Sequence, residues 1–309
     1  MKVDRITLLG SPHKNSCNPL VSVVIPAYNE EQYLSGTLQS VINQDFQNFE
    51  LIVVNNNSTD KTAEIAENFG ANIIFEPRQG VGFARQRGFM EAKGSIIATT
   101  DADTILPSNW LSRIVDKFEK DENLVAFGGL YTLYSGPLSA RLTFSYFAHP
   151  AWALDKFFSG GWGLPGVNFA VRKDAFLKVG GFKTELSIGE DAEISRRLRK
   201  TGKVLLDPSF LVKTSGRRYR SGLIVGFMTY LPNGITRILF NKHKFLKLPA
   251  IRSERPLLPR LLARFIFVLI IITFSFFYFS HYCPLRAGLK RPNFIINKIK
   301  AKQTRMKSS

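Results

Sequence analysis

An alternation of short apolar runs with helical patterns between residues 21 and 104 constrains this chain more than any other feature of its sequence. Four runs, at 21–25, 51–54, 72–75 and 95–100, have the length and composition of strands, and apolar residues recur at helical spacing between them. Strands this uniformly apolar are buried on both faces, which is typical of a mostly parallel sheet covered by helices. The sequence therefore predicts an α/β fold, with the first helix behind an N-cap at Asn29.

Polar residues gather where the predicted strands end, and ligands of open α/β sheets lie beyond such carboxyl ends. The strongest local signal is the pair Asp101 and Asp103, which directly follows the fourth strand. Two carboxylates one residue apart repel each other unless a cation intervenes. The pair is therefore a candidate site for Mg²⁺ or Mn²⁺, which bridge nucleotide phosphates. A solvated acidic turn is the alternative interpretation.

Beyond residue 104 the alternation loosens, but several elements are still predicted. They are a helix at 110–118, a strand pair at 124–133, a strand at 166–171, a short helix before Gly180-Gly181, a helix at 190–200 and a strand at 204–206. Glu190 and Asp191 begin the longer helix, either as complements of its dipole or as a general base. Arg85, in a predicted helix at 81–92, is either a solvated charge or a partner for a diphosphate.

The C-terminal part of the chain differs in composition. Of a formal net charge of +18, +11 falls between residue 252 and the C-terminus, which indicates a basic tail and not a nucleic-acid-binding face. No charged residue occurs at 265–285, a segment that would reach ~31 Å as a helix, about one hydrocarbon thickness. We predict a membrane-spanning or membrane-embedded helix at 258–285, preceded by an amphipathic region at 221–257 and followed by a tail at 286–309. A buried soluble helix is the alternative.

Other features narrow the class of protein. Two distant cysteines exclude a disulfide scaffold and a cysteine-rich zinc site, and four scattered histidines argue against a histidine metal centre. Residues 1–18 have no apolar core of a signal peptide and are expected to form an N-terminal extension. The expected location is a membrane, with the folded domain facing the cytoplasm.

Five motifs occur in the order found in family 2 glycosyltransferases, which the chain resembles from about residue 19 to 208. They lie at 23–30, 52–60, 101–103, 180–182 and 189–191. The resemblance implies a GT-A catalytic domain at 19–220, with a nucleotide-binding half at 19–104 and an acceptor half at 105–220. It also implies a nucleotide-diphospho-sugar donor such as a UDP- or GDP-sugar, a divalent cation (Mn²⁺ or Mg²⁺) and inversion at the anomeric carbon.

The resemblance also implies roles for individual residues. The nucleotide-sugar pocket is assigned to Pro26, Ala27, Tyr28, Glu30, Asn55 or Asn56 at the base, Arg85, and Asp101 with Ala102. The metal ion is assigned to Asp103 together with Asp101, and the catalytic base to Asp191 with Glu190 beside it. A carboxylate base and a cation on the departing diphosphate are the groups that a direct displacement requires.

The sequence also departs from the family pattern. Asn55-Asn56 stands where the family commonly has two aspartates, so the pocket loses negative charge. The Gln-x-x-Arg-Trp element of processive synthases is absent, which favours transfer of one sugar per encounter. Residues 217–220 (RRYR) either help to hold the diphosphate or form a solvated basic loop.

Aromatic residues between 144 and 162 lie where the family has acceptor loops, and they either bind the acceptor or pack in the core or against a membrane. With the apolar C-terminal segment, they suggest a lipid-linked or glycan acceptor. A nucleotidyltransferase is one alternative function, but residues 26–30 lack the glycine-rich phosphate loop of that class. A non-catalytic membrane-bound module with a transferase-like fold is the other.

Overall fold

The computed structural model describes residues 18–146, 161, 163–186 and 189–220. The chain divides into two compact units, Met1–Pro256 and Leu257–Ser309, and every described residue belongs to the first. Several predicted regions lie outside the described residues. They are the extension up to residue 17, most of the aromatic stretch after residue 146, and the regions at 221–257, 258–285 and 286–309. Within the described part, no helix combines the length and the apolar character needed to cross a membrane.

Four parallel strands form the first half of the sheet, as predicted. They are β1 (Val21–Ala27), β2 (Phe49–Asn55), β3 (Asn72–Phe75) and β4 (Ile96–Thr99), arranged in the order β3-β2-β1-β4. Their carboxyl ends therefore meet at one edge of the sheet, where the predicted site residues follow.

The second half of the sheet is mixed. The strands are β5 (Thr104–Ile105), β6 (Leu124–Leu133), β7 (Phe169–Arg172) and β8 (Lys203–Thr214), and the order continues from β4 as β7-β6-β8-β5. β7 is antiparallel to both β4 and β6, whereas β8 is parallel to β6. The prediction of a strand pair at 124–133 is wrong, because one strand of ten residues runs through that segment. β8 is also longer than predicted: its register against β6 jumps from Asp207 to Val212, and Pro208, which has no N–H to donate, falls within the jump.

In the described part of the chain, helices cover the two faces of the sheet. They are α1 (Leu34–Ile42), α2 (Thr62–Asn68), α3 (Val81–Glu91), α4 (Trp110–Lys120), α5 (Lys173–Lys178) and α6 (Glu190–Leu198). Residues of α1, α2 and α4 share one apolar cluster with Val23 and Ile25, and residues of α3, α5 and α6 share another with Val24. Neighbouring residues of β1 thus enter opposite cores, which explains why its sequence is continuously apolar.

Asn29 does not cap α1, contrary to the prediction. Its backbone is left-handed (φ 53°), and α1 begins at Leu34 with Tyr33 as the N-cap. The Asn29 side-chain oxygen accepts the Thr59 N–H at 2.8 Å, and its own N–H donates to Ser58 Oγ at 3.0 Å. Asn29 therefore ties together the loops that follow β1 and β2 at the carboxyl edge.

Helix α3 lies unusually close to the sheet, and this position fixes Arg85. A Cβ atom at Gly88 would stand 2.4 Å from Val24 Cγ1 and 2.7 Å from Val54 Cγ2, so only glycine permits this contact. Arg85 lies about one turn earlier in α3. Because the helix packs directly on β1 and β2, the Arg85 side chain is held at the edge where those strands end.

Candidate active site

Arg85 is the centre of the first part of the site. Its side chain is buried, with Nη2 at 2.7 Å from Asp101 Oδ1 and Nη1 at 2.5 Å from Glu190 Oε1. Asp101 follows β4 and Glu190 begins α6, so one guanidinium joins two acids that are far apart in the sequence. Within the described part of the chain, Arg85 Nε has no hydrogen-bond partner. The structure therefore brings predicted residues from both halves of the domain together.

The two acids beside Arg85, Asp101 and Glu190, differ in how deeply they are buried. Burial raises the pKa of Glu190 to about 7; the charge of Asp191 adds to this effect and Arg85 opposes it. Burial alone would lower the pKa of Arg85, but the carboxylates of Asp101 and Glu190 raise it above its ordinary value. The side chain of Asp101 is 41% exposed and that of Glu190 only 5%, so Asp101 is the acid beside Arg85 that is accessible from solvent.

Asp191 lies next to this cluster, at the start of α6. Its Oδ2 accepts the Gly166 N–H at 2.8 Å, and its Oδ1 accepts the Ala192 N–H at 2.7 Å. A Cβ atom at Gly166 would stand 2.4 Å from Arg85 Nη1, so the loop lies directly on the guanidinium. A carboxylate has about four lone-pair positions, so each oxygen of this half-buried group keeps room to accept a proton.

Arg217 is the centre of the second part of the site. It begins the 3₁₀ turn Arg217–Tyr219 after β8. Its Nη1 and Nη2 each lie 2.7 Å from an oxygen of Glu30, its Nε lies 3.0 Å from Asp103 Oδ2, and its guanidinium lies 4.7 Å from the ring centre of Tyr33. Arg217 is only 8% exposed. The interpretation of residues 217–220 as a solvated basic loop therefore does not hold for Arg217.

Asp103 is a buried member of this second cluster. Its Oδ1 accepts a hydrogen bond from Thr214 Oγ1 at 3.1 Å. Burial raises the pKa of Asp103 to about 6, although Arg217 acts in the opposite direction. Asp101 and Asp103 are therefore each paired with a different arginine. The two arginines supply part of the positive charge for which the sequence predicted a cation.

The acids of this region provide suitable, but not ready-made, ligands for a divalent cation. Among the residues that the structure describes, no three acidic, histidine or cysteine side chains form a cluster that could hold a metal ion. Mg²⁺ sites commonly use only one or two carboxylates together with substrate phosphates. Asp101 and Asp103 fit that class, because they offer two carboxylates, which are hard oxygen ligands, one residue apart at the edge of the sheet.

The two asparagines after β2 are placed differently. Asn56 is buried, and its amide makes three hydrogen bonds within its own neighbourhood: Nδ2 donates to the carbonyls of Glu76 and Arg78, and Oδ1 accepts the Gly80 N–H. Asn55 is half-buried, and its Oδ1 accepts the Ser58 N–H at 2.9 Å. Contact of either residue with a nucleotide base stays a prediction.

The remaining predicted pocket residues lie along the carboxyl edge. Pro26 and Tyr28 are half-buried, and the buried Ala27 accepts the Asn56 N–H through its carbonyl at 2.8 Å. Ala102 packs its side chain into the core, and its carbonyl accepts a hydrogen bond from Thr37 Oγ1 at 2.8 Å. Ala102 therefore supports the turn between Asp101 and Asp103 from the core side.

Asn168 was not singled out by the sequence analysis. It is fully buried beneath the loop that carries Gly166, where Oδ1 accepts the Trp110 Nε1–H at 2.9 Å. Its Nδ2 donates to the carbonyls of Leu130 and Phe210 at 3.0 and 2.8 Å. The sequence signal that could have identified Asn168 is its position inside an apolar, strand-like run. An amide buried there needs a hydrogen-bond partner for each of its polar groups, so it is expected to hold neighbouring segments together.

A row of exposed apolar side chains lies on the helix that packs against the Arg217–Tyr219 turn. Residues 138–146 are helical, and Leu138, Leu142 and Tyr146, four residues apart, are 65%, 47% and 71% exposed. On the same helix Phe144 packs against the Tyr219 ring at 5.0 Å. We call Leu138, Leu142 and Tyr146 the apolar row.

Comparisons with known proteins agree with this architecture. Residues 22–180, just over half of the chain, match the profile of Glycosyl transferase family 2. The chain is 30% identical over 204 residues to the probable glycosyltransferase YdaM of Bacillus subtilis, a match that covers 60% of this chain and 47% of YdaM. It is 30% identical over 193 residues to the glycosyltransferase AglE of Haloferax volcanii, covering 60% of this chain and 62% of AglE. The chain thus spans about half the length of one relative and under two thirds of the other.

Two solved structures share the fold. The mannosyltransferase PcManGT of Pyrobaculum calidifontis, in complex with GDP-Man and Mn²⁺, superposes with a TM-score of 0.51 at 20% identity over 71% of this chain and 66% of that one. The glucosyl-3-phosphoglycerate synthase of Mycobacterium tuberculosis, in complex with Mn²⁺, UDP and glucosyl-3-phosphoglycerate, gives 0.52 at 22% identity over 72% and 79%. The predicted α/β fold of the GT-A type is confirmed.

Proposed function

This chain belongs to glycosyltransferase family 2, and we propose that it transfers one sugar at a time from a nucleotide-diphospho-sugar to an acceptor hydroxyl or phosphate. The observation that carries the proposal is the bridge from Asp101 through Arg85 to Glu190, the neighbour of Asp191. It connects the end of β4, where the donor is expected, to the start of α6, where a base is expected.

A UDP- or GDP-sugar is the proposed donor. Both nucleotides occur in the structures that share the fold, GDP-Man in one and UDP in the other. In this chain the carboxyl edge offers Pro26, Tyr28 and Asn55, with Asp101 as the exposed acid. Glu30 lies deeper and acts through Arg217, which it holds with two hydrogen bonds of 2.7 Å.

Asp103 and Asp101 are the residues that would hold a divalent cation, Mn²⁺ or Mg²⁺, as both comparison structures contain Mn²⁺. When bound, such an ion neutralises the charge that develops on the departing diphosphate. The protein's own contribution is to place these two acids one residue apart at the edge of the sheet. Thr214 and Arg217 fix the Asp103 carboxylate there.

Asp191 is the proposed catalytic base. It accepts the proton of the acceptor hydroxyl while the acceptor oxygen bonds to the anomeric carbon and the bond from that carbon to the diphosphate oxygen breaks, which inverts the configuration. A phosphate acceptor is already ionised and needs no base. The hydrogen bonds from Gly166 and Ala192 fix the carboxylate in one orientation.

The proposed acceptor is lipid-linked or a glycan, reached at a membrane from the cytoplasmic side. The uncharged segment at 265–285 and the basic tail that follows support membrane attachment. The apolar row supports a lipid portion of the acceptor, because its three exposed side chains lie on the helix that packs against the Arg217 turn.

The test of the proposed function is Asp191→Asn in the full chain, assayed for nucleotide release and for binding of UDP and GDP. We expect sugar transfer to fall by ~100-fold or more while nucleotide binding is unchanged, since only the base is removed. Asp174→Asn is the matched control: Asp174 also lies in a helical first turn and accepts the N–H of its following residue at 2.7 Å. Equal activity of Asp191→Asn and Asp174→Asn would reject Asp191 as the base.

A further inference from the structure

We propose that the apolar row and two arginines beside it, Arg141 and Arg218, dock onto an anionic lipid bilayer, so that the carboxyl edge of the sheet stands at the membrane surface. The inference rests on the membrane location in the proposed function. It goes beyond that location by naming the face of the folded domain that meets the lipid.

The helix at 138–146 has two apolar faces. On the inner face Ala140 is fully buried, and Phe144 packs against Tyr219. At 3.6 residues per turn, the apolar row covers about 80° of the opposite, outer face. A helix on the surface of a domain normally turns polar residues outward. The outer face of this helix is therefore suited to contact with an apolar phase.

This helix begins at the edge of the sheet that carries the candidate active site. Since β7 is antiparallel to both β4 and β6, β6 runs parallel to β4, and its last residue, Leu133, lies at the carboxyl edge. The next residue, Tyr134, donates its N–H to the carbonyl of Thr214 at 3.1 Å, and Thr214 Oγ1 donates to Asp103. A surface that contacts the apolar row is therefore close to the edge where the acids lie.

The charge around the row favours an anionic partner. The two segments that meet there, 123–146 and 208–220, contain no aspartate or glutamate. Arg141 is exposed and Arg218 is half-buried, and within the described part of the chain neither guanidinium forms an ion pair or a hydrogen bond. Apolar side chains flanked by unpaired basic groups complement the acyl chains and phosphates of an anionic bilayer. A second copy of the same face would instead bring like charges together.

The size of the row fits the interfacial layer of a membrane. It extends about 12 Å along the helix, and helices that lie in the membrane plane bury their apolar face by ~5–10 Å. The lipid part of an acceptor could then stay among the acyl chains while its polar end is presented at the carboxyl edge.

The experiment measures contact between lipid and single fluorescent labels in the full chain, reconstituted into vesicles that contain nitroxide-bearing lipids as quenchers. Cys17 and Cys283 are replaced by serine, and a bimane label is attached to Leu142→Cys in the row or to Glu119→Cys. Glu119 is exposed near the end of α4, which leads into the start of β6 and so lies at the opposite edge of the sheet. We expect the lipids to quench the label at position 142 at least ~3-fold more strongly than the label at position 119.

A second comparison tests the role of charge. Vesicles of phosphatidylcholine alone are compared with vesicles that also contain phosphatidylglycerol; neither contains an acceptor, so the quenching reports the bilayer itself. Arg141→Gln combined with Arg218→Gln should lower the quenching at position 142 in the mixed vesicles to the level in phosphatidylcholine alone, because each basic residue strengthens attachment ~5-fold. Lys93→Gln combined with Lys120→Gln removes the same charge from exposed positions at the opposite edge and should leave the quenching unchanged.

The proposal is overturned if, in vesicles to which the chain is bound, the labels at positions 142 and 119 are quenched equally. It is also overturned if the two double variants respond alike, since an anionic surface is then not the partner. A label at position 142 that neither the nitroxide lipids nor iodide in the buffer can quench would show that another protein surface covers the row, which refutes lipid contact. If the chain does not float with the vesicles at all, the proposed membrane location fails as well, whereas failure of Asp191 as the base leaves the lipid contact untouched.

Discussion

Replacing Arg85 by methionine tests the bridge on which the proposed active site depends. The change removes the partner of Glu190, whose side chain is 5% exposed, and one of the contacts of Asp101. Breaking a buried ion pair from one side costs ~3–5 kcal/mol, because the remaining charge is left without compensation in the interior. Asp101 adds little to this cost, since its side chain is 41% exposed and water screens it.

The loss of folding stability caused by Arg85→Met should depend on pH in a defined direction. Glu190 has a pKa of about 7 with Arg85 present, and Arg85 acts to lower it. Without the arginine the pKa rises further, so in Arg85→Met the carboxyl takes up a proton more readily and loses its uncompensated charge. The stability difference between wild type and Arg85→Met should therefore be largest near pH 8 and smaller near pH 6.

The assay is urea unfolding at pH 6 and pH 8, with Arg87→Met as the matched control. Arg87 lies on the same helix, is 49% exposed and pairs with Glu91 at 3.1 Å, so its loss should cost less than ~1 kcal/mol. If Arg85→Met costs no more than Arg87→Met, or if its cost is the same at both pH values, the bridge does not hold the site together as argued.

Three further predictions follow from other contacts. Asn168→Ala should lower the free energy of unfolding by at least ~2 kcal/mol in urea, because the Trp110 N–H and two carbonyls lose their partner. Gly166→Ala should reduce sugar transfer ~10-fold or more, since the new Cβ would stand 2.4 Å from Arg85 Nη1 and must displace either the Arg85 guanidinium or the loop that orients Asp191; unchanged transfer would contradict this. In Glu190→Gln, the melting temperature relative to wild type should rise from pH 5 to pH 7.5. Burial raises the folded pKa of Glu190 from 4.5 to about 7, so the folded wild type keeps a proton that the unfolded chain loses and its stability falls over that window. A difference that does not vary with pH would contradict the assignment.

The first half of the fold could be predicted from the sequence because β1, β2 and β4 are almost fully buried, and such strands appear as uninterrupted apolar runs. The edge strand β3 is more exposed, but its residues Asn72–Phe75 are also mostly apolar, and it was predicted to its exact bounds. The second half has less regular signals: the ten-residue strand Leu124–Leu133 contains two adjacent glycines, and Lys203–Thr214 contains a proline. Here irregular pairing between β6 and β8 overrides the local preference for a turn.

The acids of the site could be located from the sequence, but their partners could not. Motif position placed Asp101, Asp103, Glu190 and Asp191 at element ends, where the structure has them. Arg217 lies 187 residues from Glu30 along the chain, and nothing in a basic loop shows that one of its arginines is buried on a distant acid. The same limit applies to Asn29, whose role depends on a neighbouring loop and not on the helix that follows it.

The burial of Glu30, Asp103 and Glu190 is better explained by chemistry than by stability. Replacing a buried ion pair by apolar residues of similar size is often neutral or stabilising, so a stable core alone would not require these groups. Each arginine, however, holds one acid of the Asp-x-Asp motif and one from another segment: Arg85 joins Asp101 to Glu190, and Arg217 joins Asp103 to Glu30. Because breaking such a pair from one side is costly, the relative positions of these segments are fixed. The proposed displacement, in which a base acts on one side of a sugar and a diphosphate leaves on the other, requires that fixed geometry.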